Sequence, residues 1–266
     1  MTALLPLMNT NQESISLGRL PKERLGESYQ ESIIPSVILG RIRQAALCLT
    51  RLRYQVKTSG LETFPSERGV LLVCNHVSYI DTVILSLACP RPIRFLSYQG
   101  LFGVPILGTI LRVAGAIPVS STRATDAIRC AAECLRRGEV VCIFPEGQLT
   151  RTGCLMELKS GFELIARQAA CPVVVAQLDG LWGSIHSFAG GRYFTKWPKG
   201  LRRRAAVSFS IPMQACEATT ERVREILLEH GDPPRHVICG GSLPTHGVRL
   251  KVGESGGTVA SRPFEV

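Results

Sequence analysis

A histidine with an aspartate five positions on, and a glutamate about 70 residues later, are the groups in this sequence best suited to moving protons. They sit in two short motifs, Asn75-His76-Val77-Ser78-Tyr79-Ile80-Asp81 and Phe144-Pro145-Glu146-Gly147. An imidazole, with an ordinary pKa of about 6.5, serves as a general base at neutral pH. A carboxylate beside it holds the tautomer and stabilises the imidazolium without itself taking the proton. On a helix a five-residue step turns about 500°, so the pair can meet only if His76 lies in a loop and Asp81 in the first helical turn. Ser78 then reads as the N-cap and Asp81 as the third helical residue. The same Ser-x-x-Asp also reads as a capping arrangement with no catalytic duty.

The elements around these residues supply the context. Val70-Leu71-Leu72-Val73-Cys74 precedes the first motif and Val140-Val141-Cys142-Ile143 the second. Short apolar runs ended by polar residues read as buried strands. Both motifs therefore follow the carboxyl ends of core strands, where open α/β sheets place their ligands. From residue 70 the pattern alternates: strands at 70–74, 93–97, 115–119, 140–144, 172–178 and 205–211, and helices near 78–88, 101–112, 123–137, 156–169 and 219–230. This predicts one α/β domain over residues 31–230, with a largely parallel sheet flanked by helices. Residues 1–30 are polar and aperiodic and are expected to form a flexible leader. Residues 37–53 form an amphipathic helix with Leu39, Ile42, Ala46 and Leu49 on one face, lying on a membrane surface or packed on the core. Residues 231–266, rich in glycine and proline, are expected to be a disordered tail.

The 266 residues carry a formal net charge of +10, which points to a polyanionic partner: nucleic acid, an anionic lipid surface or a phosphorylated substrate. Arg192 to Arg204 contains six cations, no acids and three aromatics, a composition that suits an anionic bilayer. No nucleic-acid motif accompanies it. The ten cysteines include no Cys-x-x-Cys pair and no zinc-ligand spacing, so buried reduced thiols in a cytosolic protein are expected, and no metal. The apolar stretch Leu101–Val119 is broken by glycines, prolines and Arg112, which argues for a buried or surface-dipping helix and against a spanning one. Gly253-Glu254-Ser255-Gly256-Gly257 matches a nucleophile elbow formally but lacks the strand and helix such an elbow needs. His186, His230, His236 and His246 have no partner pattern and read as incidental.

In the order Asn75-His76-x-x-x-x-Asp81, Gly115-Ala116-Ile117-Pro118-Val119 leading to Arg123, Phe144-Pro145-Glu146-Gly147, and Cys171-Pro172-Val173-Val174, the motifs resemble the glycerolipid (1-acylglycerol-3-phosphate O-) acyltransferases over roughly residues 55–215. The extended segment Phe144–Gly153 and Leu178–Ser184 look most like the branch that reacylates lysophospholipids such as 2-acylglycerophosphoethanolamine. That branch can be fused to transport or acyl-activating domains, of which this sequence shows neither. The resemblance implies transfer of a fatty acyl group from acyl-CoA or acyl-carrier protein to a lysophospholipid hydroxyl, with no cofactor and no protein nucleophile. His76 would be the base and Asp81 its partner. Arg123 and Arg151 would bind the acceptor phosphate. Glu146 and Gly147 match the acceptor-binding block, where Glu146 would meet acceptor hydroxyls or position an arginine. Many relatives have lysines where this chain has Ser97-Tyr98-Gln99-Gly100, so any phosphate duty of those lysines is lost or moved here. The implied setting is peripheral, on the cytoplasmic side of a membrane with anionic lipids. A non-catalytic lipid-binding module and a hydrolase using the same histidine are the rivals.

Overall fold

The computed structural model describes residues 47–120, 122–194 and 202–229. The expected leader, tail and beginning of the first helix lie outside them, as do His230, His236, His246 and the 253–257 match. Helix α1, described over residues 47–53, leads into a seven-stranded sheet ordered β1-β7-β6-β2-β5-β3-β4. The strands are β1 (Tyr54–Ser59), β2 (Val70–Cys74), β3 (Ile93–Tyr98), β4 (Ile117–Val119), β5 (Val140–Ile143), β6 (Val173–Asp179) and β7 (Arg203–Phe209). Helices α2 (Asp81–Ala88), α3 (Leu107–Val113), α4 (Ala124–Arg136), α5 (Gly161–Ala169) and α6 (Thr220–Glu229) complete it, with a 3-10 turn at Gln99–Gly103.

Strand β2 is buried along its whole length because both faces of the sheet are covered. Its alternate side chains feed two cores. Val70, Leu72 and Cys74 pack with Ile84 and Leu85 of α2 on one face. Leu71 and Val73 pack on the other with Ala131 and Leu135 of α4, Phe162 and Ile165 of α5, and Val223 of α6.

The α/β reading with a largely parallel sheet holds, with two corrections. Strand β6 pairs antiparallel with β7 and β7 parallel with β1, so β1 and β7 run opposite to the other five. No helix separates β6 from β7 among the described residues, and a connection that does not cross the sheet returns antiparallel. Strand β1 begins directly after the expected 37–53 helix, ahead of the first strand expected at 70–74. Its Tyr54-Gln55-Val56-Lys57 alternation suits an edge strand buried mainly at Tyr54.

Consequently the carboxyl ends of β2, β5, β3, β4 and β6 and the amino ends of β1 and β7 lie at one end of the sheet. We refer to it as the site end. No helix among the described residues is long and apolar enough to cross a membrane.

Candidate active site

The loop from Asn75 to Ile80 is held from three directions. Asn75 uses its amide as a strand would: Nδ2 donates to the Leu178 carbonyl at 3.0 Å and Oδ1 accepts the Leu178 N–H at 2.7 Å. The Tyr79 N–H donates to the His186 carbonyl at 3.2 Å, tying the loop to the segment after β6. The Thr150 N–H donates to the His76 carbonyl at 3.0 Å, tying it to the segment after β5.

Within that loop His76 Nδ1 lies 2.9 Å from Asp81 Oδ2. Asp81 is fully buried and its carboxylate is saturated. Oδ2 also accepts the N–H groups of Val77 at 2.6 Å and Ser78 at 2.9 Å, and Oδ1 accepts the Ser78 hydroxyl at 2.5 Å. The expected Ser78 cap is therefore corrected. Helix α2 begins at Asp81 with Ile80 in the cap position, and Ser78 donates to Asp81 instead of receiving from the helix. Charge-assisted hydrogen bonds to a buried carboxylate outweigh one neutral cap bond. The His76 ring stacks on Phe144 with centroids 4.0 Å apart and planes 14° apart, and Phe144 in turn lies parallel to Phe95 at 6.2 Å. With Nδ1 engaged, Nε2 is the nitrogen available to exchange a proton.

Glu146 has a different place from the one expected. It is 3% exposed, its Oε1 accepts the His76 N–H at 2.7 Å, and its Oε2 accepts the Met156 N–H at 3.0 Å. Both oxygens accept from backbone, and no arginine is among the hydrogen-bond partners found for it. Burial pushes its carboxyl up, against those two N–H groups, which favour the charged form. The same clamp explains why α5 starts at Gly161 and not near 156: the Met156 N–H donates to Glu146 and the Lys159 N–H to the Pro145 carbonyl, holding residues 156–159 out of the helix. Gly147 closes the turn with φ +70°, and a Cβ there would lie 2.8 Å from Lys159 Nζ. The positive φ is what calls for glycine, since the flexible end of Lys159 can move aside.

Of the residues singled out from sequence, His76, Asp81, Glu146 and Gly147 come together. Arg151 is exposed, with its guanidinium 5.5 Å from the Phe188 ring centroid, and it follows directly on Thr150. Arg123 does not join them: it is exposed at the N-cap of α4, beyond β4. Strand β4 is three places from β2, roughly 14 Å across a sheet.

Sequence reasoning missed two neighbours. His186 is half-buried with Nδ1 3.1 Å from the Tyr54 hydroxyl, and burial and the nearby Arg53 charge lower its pKa. Gln177 on β6 is 3% exposed, with no hydrogen-bond partner for either amide atom, and shares a small cavity with Asn75, Glu146 and Thr150. An isolated His or Gln gives no sequence signal for such a position. Among the described residues no three metal-ligating side chains converge. Burial raises the Cys74 and Cys142 thiols well above their ordinary range, which makes both poor nucleophiles.

An α/β sheet with a histidine–carboxylate pair past a central strand defines the class, and comparison with known proteins narrows it. Residues 55–177 match the family model described as Acyltransferase. A chloroplastic 1-acyl-sn-glycerol-3-phosphate acyltransferase of Arabidopsis thaliana is 30% identical over 131 residues, 48% of this chain and 36% of its own. The 1-acyl-sn-glycerol-3-phosphate acyltransferase of Bacillus subtilis is 31% identical over 131 residues, 48% of this chain and 65% of its own. The matches thus span between about a third and two thirds of these relatives' lengths. The crystal structure of the 1-acyl-sn-glycerophosphate acyltransferase of Thermotoga maritima shares the fold, with a TM-score of 0.55 and 20% identity, covering 73% of this chain and 77% of that one. Over residues 55–177 the chain is thus similar to the acyltransferases, and to 1-acyl-sn-glycerol-3-phosphate acyltransferases among them.

Proposed function

We propose that the protein is an O-acyltransferase of phospholipid synthesis or remodelling, acting at the cytoplasmic surface of a membrane to which it binds peripherally. It takes a fatty acyl group from acyl-CoA or acyl-carrier protein and passes it to the free hydroxyl of a lysophospholipid of the 1-acylglycerol-3-phosphate type. The observation that carries this reading is the His76–Asp81 pair, locked at 2.9 Å by a carboxylate with every other contact directed at the same loop.

In this mechanism His76 Nε2 takes the acceptor's hydroxyl proton as the oxygen attacks the thioester carbonyl. The tetrahedral intermediate collapses with loss of the thiolate, which His76 reprotonates. Asp81 holds Nδ1–H and stabilises the imidazolium. Glu146 acts through the backbone, keeping His76 over Phe144. Arg151, which follows directly on Thr150 beside His76, and Arg123 are the guanidinium groups offered to the phosphate. Lysophosphatidylethanolamine is the second acceptor to weigh. Its support is that Gly153, in the Phe144–Gly153 segment, sits against Trp182, in the Leu178–Ser184 segment, so that the two stretches resembling the reacylating branch meet.

The test pairs labelled acyl-CoA and acyl-carrier protein with lysophosphatidate and lysophosphatidylethanolamine, using wild type and His76→Ala. Product should form with wild type and fall by about 10²- to 10⁴-fold in the variant, the usual worth of a general base. Undiminished product in a folded His76→Ala protein would end the mechanism. No product from any pair would favour a non-catalytic lipid-binding module.

A further inference from the structure

Eleven large apolar side chains are exposed among the described residues, and all but Ile211 belong to segments joined to the site end of the sheet, with Leu164 well along the β5–β6 connection on α5. Leu49 and Leu52, one helical step apart on α1, are 67% and 69% exposed just before β1 enters the sheet there. Tyr79 and Phe194 stack beside the His76 loop with centroids 5.7 Å apart, and both are exposed. On the other side of His76, the chain leaving β3 has no charged side chain from Phe95 to Leu111, and exposes Tyr98, Val104, Ile106 and Ile110.

The tip of that last segment is strained. Ile106 has φ +66° and ψ −55°, and the Leu107 N–H donates to the Pro105 carbonyl at 2.7 Å. This is a γ-turn of the rare positive-φ kind, centred on a β-branched residue that is 77% exposed. A strained backbone that presents an isoleucine to water has no rationale in the packing of this domain.

Charge surrounds these apolar groups. Arg51, Arg123, Arg151, Arg192 and Arg202 are exposed at the same end, against the exposed acids Asp126 and Glu157. The two described ends of the cation-rich stretch, residues 192–194 and 202–204, both lie there, because β6 leaves and β7 enters the sheet at that end.

We infer that the site end of the sheet is the membrane-docking face, with the Val104–Ile110 segment dipping into the acyl region and the arginines meeting anionic headgroups. Apolar groups flanked by cations, all on one face, match the layered chemistry of an anionic bilayer. A protein partner would supply acids to pair with the arginines but would not need an uncharged wedge. The inference rests on the peripheral acyltransferase reading and adds an orientation to it: a lysophospholipid would present its hydroxyl to His76 while its acyl chain stays in the bilayer.

Flotation of the full chain with vesicles of phosphatidylcholine mixed with phosphatidylglycerol tests this, without substrate. Wild type should float, and Ile106→Asp combined with Ile110→Asp should lose about a hundredfold or more in vesicle affinity. Leu164→Asp, on the exposed side of α5, should float like wild type. Turnover of water-soluble short-chain substrates by the double variant should stay within about twofold of wild type. That assay separates the two ideas, since flotation lost without any turnover in wild type would leave the docking face standing and the acyltransferase reading fallen. The docking face is overturned if wild type does not float, or if the double variant floats equally well. It is also overturned if light scattering shows a lipid-free dimer that the same substitutions dissolve.

Discussion

At the scale of single residues, the site depends on carboxylates that accept from backbone. Asp81 and Glu146 together take four backbone N–H groups, and three of those belong to residues 76–78. The histidine is thus positioned by its own peptide plane as much as by its ring. His186 adds a titratable group beside this loop. Burial and Arg53 lower its pKa, so the folded state favours the neutral ring, whose Nδ1 shares a hydrogen bond with the Tyr54 hydroxyl. The unfolded chain therefore takes up this proton first as pH falls. Stability from neutral His186 is complete above the ordinary value of 6.5 and is lost as pH falls from there through the lower folded value. His186→Gln should flatten the decline in Tm between about pH 7 and pH 5 relative to wild type. Parallel profiles in thermal melts would remove His186 from that role.

At the scale of elements, the loops at the site end are positioned by strands buried on both faces, and those strands depend on the helices that cover them. Helix α5 shows this most clearly. Phe162, Ile165 and Ala166 are fully buried beneath β2 and α4, while Leu164 faces outward. Phe162→Ala should cost about 3–5 kcal/mol, the range for removing a buried aromatic ring and leaving its cavity. Chemical denaturation would measure it as a lower midpoint with an unchanged slope. A loss below about 1 kcal/mol would mean that the core beneath α5 collapses to fill the space.

At the scale of the whole molecule, the charge of +10 gains meaning once its distribution is known. Exposed arginines occur over the whole surface, but Arg68, Arg136, Arg137, Arg167 and Arg222 are accompanied by exposed acids such as Glu62, Glu67, Glu133, Glu221 and Glu225. At the end that carries His76, Arg51, Arg123, Arg151, Arg192 and Arg202 outnumber Asp126 and Glu157, so the attraction is directed. Exposed charges are screened by salt, whereas inserted apolar groups are not. Raising ionic strength from about 0.05 M to about 0.5 M should therefore weaken binding to anionic vesicles by about tenfold or more, and change the weaker binding to pure phosphatidylcholine little. Equal weakening on both lipids in a sedimentation assay would contradict an electrostatic rim.

Much of this protein is written in local patterns. The apolar runs at 70–74 and 140–143 determine two central strands, and the alternation with helical segments determines an α/β sheet that is mainly parallel. The five-residue spacing of His76 and Asp81 determines that they can meet only across a loop-to-helix junction, which is where they are. Strand β1 was partly legible in its alternation, but it runs on directly from a helix, and local propensity does not locate such a boundary. The reversal at β6–β7 depends on where a long connection re-enters the sheet, which no period reports. Only the tertiary structure decided that Glu146 accepts from two backbone N–H groups, that Ser78 serves Asp81 instead of capping α2, and that Arg123 stands three strands from His76. Hydrogen-bond partners are chosen by proximity among residues more than a hundred positions apart, as with Asn75 and Leu178 or Tyr54 and His186. Sequence spacing constrains neighbours along the chain, but burial forces each polar group to find its partner in space.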